Sequence, residues 1–81
     1  MKEKDKLRLQ KIGANLLRIR TEKALTQEEL SYRCDVDRAK ISKIESGQVN
    51  LVVTTLLDLA EGLEVDASEL LDFTGKQKGK R

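Results

Sequence analysis

The chain has 81 residues, of which 37% are charged and only 2% are aromatic, with no proline and no tryptophan. This length allows one small domain with a modest core, and the composition is typical of a helical domain with aliphatic packing. One cysteine excludes an internal disulfide, and the absence of histidine and of a Gly-rich phosphate loop argues against an enzyme, a metal site or a cofactor. No long apolar run is present, so we expect a cytoplasmic protein with no membrane partner.

The net charge of +2 hides a strong segregation of charge along the chain. Residues 1–23 contain eight basic and three acidic residues, whereas residues 51–73 contain six acidic and no basic residues. Residues 74–81 contain four basic residues and no acidic ones. A polyanion would therefore be attracted to some faces of the molecule and repelled by the segment after residue 50.

The N-terminal part of the sequence predicts a flexible arm followed by a helix. Residues 1–6 lack apolar residues apart from the initial methionine, and we expect a flexible basic arm there. Residues 7–23 carry apolar residues at steps of three and four, which is the spacing of one helix face: Leu9, Ile12, Leu16 and Ile19. Gly13 is unfavourable inside a helix, which indicates a close crossing with another helix.

Residues 25–47 predict two short helices separated by a tight turn. Thr26 and Glu29 have the spacing of a capping box, which predicts a helix over 27–33. Asp37 is a good N-cap for a second helix over about 38–46, and Gly47 supplies the left-handed residue that ends it. Cys34, one turn after Leu30, is predicted to be a small core residue rather than a redox or metal ligand.

The second of these helices has two different faces. Ile41 and Ile44 mark the inner face, and Lys40 lies at the margin. The outer face is small, basic and hydroxyl-bearing: Arg38, Ala39, Ser42 and Lys43. A short helix with such a face fits the major groove of DNA, although a solvated basic face is the simpler alternative.

The C-terminal part predicts a fourth helix over about 50–62 and a short fifth helix. Asp66 and Glu69 have the spacing of a second capping box. The apolar arc of the fourth helix is wider than one core contact needs, which indicates a second burial surface. The candidate dimer interface comprises Leu57, Leu59, Leu70, Leu71 and Phe73. Residues 74–81 are predicted to be a disordered basic tail, so the single domain spans 7–73.

Several separated motifs resemble the lambda-repressor-like (Xre-type) helix-turn-helix family. They are LTQEEL, the frame V-x-R-x-x-I-S-x-I-E-x-G, the later Asn50 and LLDLAEGLEV, in the family's order and spacing over residues 12–71. Cys34 and Leu51 depart from the usual Leu and Pro. Asp35 stands where the family usually has Gly, and this leaves a left-handed conformation open for the turn.

The resemblance implies a compact all-α domain of five helices with the helix-turn-helix at helices 2 and 3. It implies base reading by Arg38, Ala39 and Lys43, with Ser42 adjacent, and a structural ion pair between Arg20 and Glu45. Gln27 resembles the family's phosphate-contacting Gln. Lys40, Gln48 and Asn50 are further phosphate candidates, with turn formation as the alternative for the last two.

These expectations lead to two hypotheses of function. The first is a sequence-specific transcriptional regulator or repressor that binds double-stranded DNA as a homodimer on a palindromic operator, with no evident small-molecule ligand. Its size is similar to that of restriction–modification controller proteins, which the resemblance suggests as a comparison. The second is a protein–protein module, an antitoxin or adaptor, in which the fourth and fifth helices dock a partner.

Overall fold

A computed structural model describes residues 2–74, and within this range the chain forms five α-helices and no strand. The helices are α1 (Glu3–Glu22), α2 (Gln27–Arg33), α3 (Arg38–Glu45), α4 (Val53–Leu63) and α5 (Ala67–Leu70). The predicted five-helix, all-α fold is therefore confirmed. Over the same residues, none of the helices combines the length and the apolar character needed to span a bilayer.

Helix α1 begins at Glu3, four residues before the apolar pattern indicated. Glu3 and Asp5 lie in its first turn, where negative charge is favourable beside the helix dipole, and Asp5 pairs with Arg8 at 3.2 Å. Part of the expected N-terminal arm is therefore helical, because electrostatic terms extend a helix beyond the residues that the core requires. Met1 lies outside the described residues.

Gly13 brings α1 and α3 into direct backbone contact, as its position in the sequence indicated. A side chain there would overlap the carbonyl oxygens of Ile44 and Glu45 at the end of α3. Because only glycine leaves room for this approach, α1 holds the C-terminal turn of α3 in a fixed position.

Helices α2 and α3 have the predicted start and stop signals. The Thr26 hydroxyl accepts from the Glu29 N–H at 3.0 Å while the Glu29 carboxylate accepts from the Thr26 N–H at 2.8 Å. The Asp37 carboxylate caps α3 by accepting from the Lys40 N–H at 2.8 Å. Gly47, with φ of 73°, ends α3 in a Schellman arrangement in which the Gln48 N–H bonds the Lys43 carbonyl at 2.9 Å.

The turn between α2 and α3 does not use the left-handed conformation that was open for Asp35. Among residues 2–74, the non-glycine residues with positive φ are Ala24 and Glu64, which end other segments. The turn is made instead by extended backbone at Cys34, with φ of −135° and ψ of 163°. Val36 then enters the core at 5% exposure, so burial of its side chain fixes the path of the turn.

Helix α4 begins at Val53, later than the predicted residue 50, with Val52 in the N-cap position and no side-chain cap. The predicted capping box of Asp66 and Glu69 is wrong, because the Asp66 side chain makes no capping hydrogen bond. The Glu69 N–H bonds the Asp66 backbone carbonyl at 3.0 Å instead, which leaves the carboxylate without that donor. Neither α4 nor α5 therefore has a side-chain N-cap, although backbone hydrogen bonds from Glu64 and Val65 close the C-terminus of α4.

The core lies between α1, α2, α3, α4 and α5 and is aliphatic. Its fully buried large side chains are Leu16, Leu30, Ile41, Leu59, Leu63 and Leu70. Leu59 is 1% exposed and Leu70 is 0% exposed, so their assignment to a dimer interface is wrong: the domain's own core already covers them. Of the predicted basic tail, residues 75–81 lie outside the described residues.

Candidate nucleic-acid interface

The outer face of α3 consists of exposed side chains, whereas its inner face is buried. Ile41 is 0% and Ile44 is 3% exposed, which orients the short helix on the core. The residues predicted to meet DNA on this helix all lie in solvent: Arg38, Ala39, Lys40, Ser42 and Lys43. Because only the inner face is covered, the outer face of this two-turn helix is free to enter a groove about as wide as the major groove of B-DNA.

A buried ion pair joins α1 to the end of α3. The Arg20 guanidinium contacts the Glu45 carboxylate with two hydrogen bonds, from Nε to Oε2 at 2.6 Å and from Nη2 to Oε1 at 3.1 Å. The side chains are 11% and 6% exposed, and Arg20 also donates to the Leu25 carbonyl at 2.7 Å. This is the pairing that the resemblance implied, and its forked geometry fixes α3 in rotation as well as in distance.

Gln27 belongs to the same hydrogen-bond network. Its Nε2 donates to Glu45 Oε1 at 2.9 Å, which the sequence reading missed because the two residues are 18 positions apart. Nε2 carries a second N–H, so this contact orients the amide and leaves a donor available. Gln27 lines a concavity on the surface together with Arg20, Thr26, Glu28 and Arg38. A predicted phosphate contact and a predicted base reader thus lie at one site.

The remaining phosphate candidates lie after α3. Gln48 and Asn50 are both exposed, and the Gln48 backbone is fixed by the Schellman bond that closes the helix. Asn50 lies beside a cleft that it shares with α1, where Arg8 and Asp5 also form part of the lining. The structure therefore places these two side chains in solvent after the end of α3, while α4 starts too late for Asn50 to cap it.

Two residues that do not belong to the outer face of α3, Cys34 and Tyr32, have pKa values raised by their surroundings. Burial is the main cause that raises the pKa of the half-buried Cys34 thiol, whose Sγ donates to the Leu30 carbonyl at 3.2 Å. The hydrogen bond to Glu28 (2.9 Å), followed by the charge of that carboxylate, raises the pKa of the exposed Tyr32 hydroxyl. Both shifts favour the neutral form of the group, and a thiol is less reactive in that form than as a thiolate.

Most of the exposed large apolar side chains among residues 2–74 lie after residue 51 in the sequence. Leu57 is 51%, Leu71 is 47% and Phe73 is 42% exposed, so these three members of the predicted dimer interface are accessible. Val52 and Val53 at the start of α4 are exposed as well, at 60% and 69%. The sequence reading did not single out these two as surface residues, because it expected the helix to begin before them.

Helices α2 and α3 are short and joined by a tight turn, α2 packs on α4 and α3 packs on α1, and the outer face of α3 is basic and exposed. This arrangement defines a helix-turn-helix domain of the DNA-binding type. The chain belongs to the helix-turn-helix domain family, whose sequence model matches residues 11–73. The resemblance to the lambda-repressor-like (Xre-type) family is thereby confirmed.

Relatives and solved structures agree with this assignment. The chain is 42% identical over 63 residues to an uncharacterized HTH-type transcriptional regulator, y4dJ, of Sinorhizobium fredii, covering 78% of this chain and 82% of the relative. It is 36% identical over 63 residues to the control protein C.BamHI of Bacillus amyloliquefaciens, covering 76% and 78% of the two chains. The crystal structure of the restriction-modification controller protein C.AhdI from Aeromonas hydrophila is similar, with a TM-score of 0.75, 37% identity and coverage of 76% of this chain and 94% of that one.

Proposed function

We propose that this protein is a sequence-specific transcriptional regulator that binds a palindromic operator as a homodimer. The observation that carries the proposal is the exposed outer face of α3, held on α1 by the buried Arg20–Glu45 pair. The similarity to transcriptional regulators and control proteins supports the same function. A helix fixed in this way presents its side chains to base edges without first having to become ordered.

Base reading is assigned to four side chains on that face. Arg38 donates to guanine O6 and N7 as a planar fork, and Lys43, about 1.4 turns further along the helix, reaches a second guanine. The Ala39 methyl group contacts a thymine methyl, and Ser42 contributes a hydroxyl that can donate or accept. These groups differ in what they recognise, so each base pair under α3 is distinguished separately.

Phosphate contacts place the domain on the duplex. Gln27 uses its second amide N–H, Lys40 contributes a charge, and Gln48 and Asn50 contribute amides beyond the end of α3. The acidic segment 51–73 is repelled by phosphate and is therefore directed away from DNA. This polarity leaves the exposed apolar residues Leu57, Leu71 and Phe73 for contact with a second copy.

The size of the site supports a homodimer. One module of this kind covers roughly 600–1,000 Å² of interface, which rarely gives useful selectivity alone. Two copies related by a two-fold axis place two α3 helices in successive major grooves about one helical turn apart. A palindromic operator is the DNA counterpart of that symmetry.

The test combines selection of bound oligonucleotides with two substitutions. We expect the selected sites to be palindromic, which would establish base reading and two-fold binding together. On such a site, Arg38→Ala should cost about 1–3 kcal/mol and relax selectivity at one base pair of each half-site. Lys40→Ala should weaken matched and scrambled sites alike and reduce the slope of log K against log salt by about one per contact.

Arg33→Ala is the charge-matched control, because Arg33 is exposed on α2 beside Asp35, Asp58 and Glu61 rather than on α3. It should leave selectivity unchanged. Equal loss of selectivity in the Arg38 and Lys40 variants would refute the division of roles, and selection of sites with no common sequence would refute base reading altogether.

A further inference from the structure

Asn15 on α1 holds the C-terminal segment of the domain. Its Nδ2 donates one hydrogen bond to the Leu70 carbonyl and another to the Asp72 carbonyl, each at 3.0 Å. An amide nitrogen has two N–H groups, so both donors are used on this segment. The side chain is half-buried and bridges positions more than fifty residues apart in sequence.

The segment depends on such a contact because it has little structure of its own. Helix α5 has only four residues and no side-chain cap, and a helix this short is unstable in water. Leu70 anchors one point in the core, and the Lys11 ammonium lies 5.7 Å from the centre of the Phe73 ring. The two hydrogen bonds from Asn15 fix the backbone at Leu70 and at Asp72 as well.

The two carbonyls that Asn15 binds belong to the residues on either side of Leu71. Their hydrogen bonds therefore fix the backbone on both sides of Leu71, whose side chain is 47% exposed, and bring the chain to Phe73, which is 42% exposed. Neither apolar side chain is itself buried in the core. The Asn15 amide therefore helps to set their position relative to α1, together with the buried Leu70 side chain and the Lys11–Phe73 contact.

We propose that Asn15 is a positioning residue for association with a second copy of the chain, through Leu71 and Phe73. This inference rests on the homodimer proposed above and names a residue that acts on its interface. Charge favours a second copy as the occupant: residues 1–23 carry an excess of basic groups and residues 51–73 an excess of acidic ones. A two-fold axis makes such a pair of regions self-complementary.

The effect on dimerisation should be amplified by symmetry. Both copies must present an ordered segment, so the dimer dissociation constant rises with the inverse square of the ordered fraction. If loss of the Asn15 bonds lowers that fraction to about one third, the constant rises about tenfold. Binding of one subunit to a single half-site uses α3 and is unaffected.

The experiment compares the full chain with Asn15→Asp, Asn15→Ala and the control Gln10→Glu. Asn15→Asp keeps the shape of the side chain but replaces the two N–H donors with a carboxylate that faces two carbonyl oxygens. Asn15→Ala removes both hydrogen bonds, and because alanine favours the helix, α1 itself should remain intact. Gln10→Glu makes the same amide-to-carboxylate change at an exposed position of α1. Sedimentation equilibrium gives the dimer constant, and titration of a single half-site duplex gives the affinity of the monomer.

We expect both Asn15 variants to raise the dimer dissociation constant about tenfold or more and to bind the half-site within about twofold of the unsubstituted chain. Gln10→Glu should leave the dimer constant within about twofold. Asn15 variants that dimerise like the unsubstituted chain would overturn the positioning role while leaving the homodimer intact. An equal loss of half-site binding would show a purely structural role. An unsubstituted chain that binds its operator as a monomer would overturn this inference together with the homodimer.

Discussion

The α2–α3 unit and the α4–α5 unit hold short helices in place by different means. Helices α2 and α3 each have a side-chain N-cap, from Thr26 and Asp37, and α3 ends in a glycine with positive φ. Helices α4 and α5 have no side-chain cap, and α4 ends at Glu64 in the left-handed conformation that glycine normally occupies. Side-chain caps and a glycine therefore fix the helix ends of the first unit. The second unit has only a backbone C-cap on α4 and depends otherwise on burial and on Asn15.

This difference matches the proposed roles of the two units. A helix that reads bases has to keep its position to within a fraction of an ångström, and α3 is fixed at its start by Asp37, in its middle by Ile41 and at its end by Glu45. The C-terminal segment meets a protein surface in our proposal, where packing against a second copy adds the order that the isolated segment lacks. Three substitutions test how far this contrast holds.

The largest effect is expected from Glu45→Ala in the α3 anchor. Removing this carboxylate leaves the buried Arg20 guanidinium without its partner, so the free energy of unfolding should fall by about 3–5 kcal/mol. Urea unfolding followed by circular dichroism measures the change. The matched control is Glu22→Ala, which removes the exposed pair with Arg18 at 3.4 Å and should cost no more than about 0.5 kcal/mol. Similar costs for the two variants would mean that the buried pair does not anchor α3.

An intermediate effect is expected from the caps. Thr26→Ala removes one half of the capping box and should lower the free energy of unfolding by about 0.5–2 kcal/mol. Asp66→Ala, at the same position relative to α5, should change it by less than about 0.5 kcal/mol, because its side chain makes no capping bond. Thermal unfolding of both variants compares the contribution of the α2 cap with that of the position before α5. A larger loss in Asp66→Ala than in Thr26→Ala would remove the contrast between them.

The smallest effect, of opposite sign, is expected from Glu64→Gly. Glu64 ends α4 with φ of 60°, a conformation that costs a side-chain-bearing residue about 1 kcal/mol or more. Glycine relieves this strain but has more freedom in the unfolded chain, so stability should rise by up to about 1 kcal/mol. Ala14→Gly, on the exposed side of α1, should lower stability by about 1 kcal/mol. A loss of stability in Glu64→Gly would show that the carboxylate, not the strain, matters there.

The sequence by itself determined the features that depend on neighbouring residues. Spacing of three and four placed α1, α2 and α3 on the core, Thr26 and Asp37 set where α2 and α3 begin, and Gly47 set where α3 ends, because caps and helix periodicity act within one or two turns. The pairing of Arg20 with Glu45 was accessible through the family resemblance. Each of these signals is local or is carried by a motif of fixed spacing.

Only the tertiary structure decided the features that depend on which surfaces meet. Leu59 and Leu70 fit an exposed apolar face as well as a buried one, and the packing of α4 and α5 placed them in the core. The contacts of Gln27 with Glu45 and of Asn15 with the C-terminal carbonyls join residues 18 and more than fifty positions apart. Hydrogen-bond partners at such separations follow from the relative placement of whole helices, and no local pattern of residue types encodes that placement.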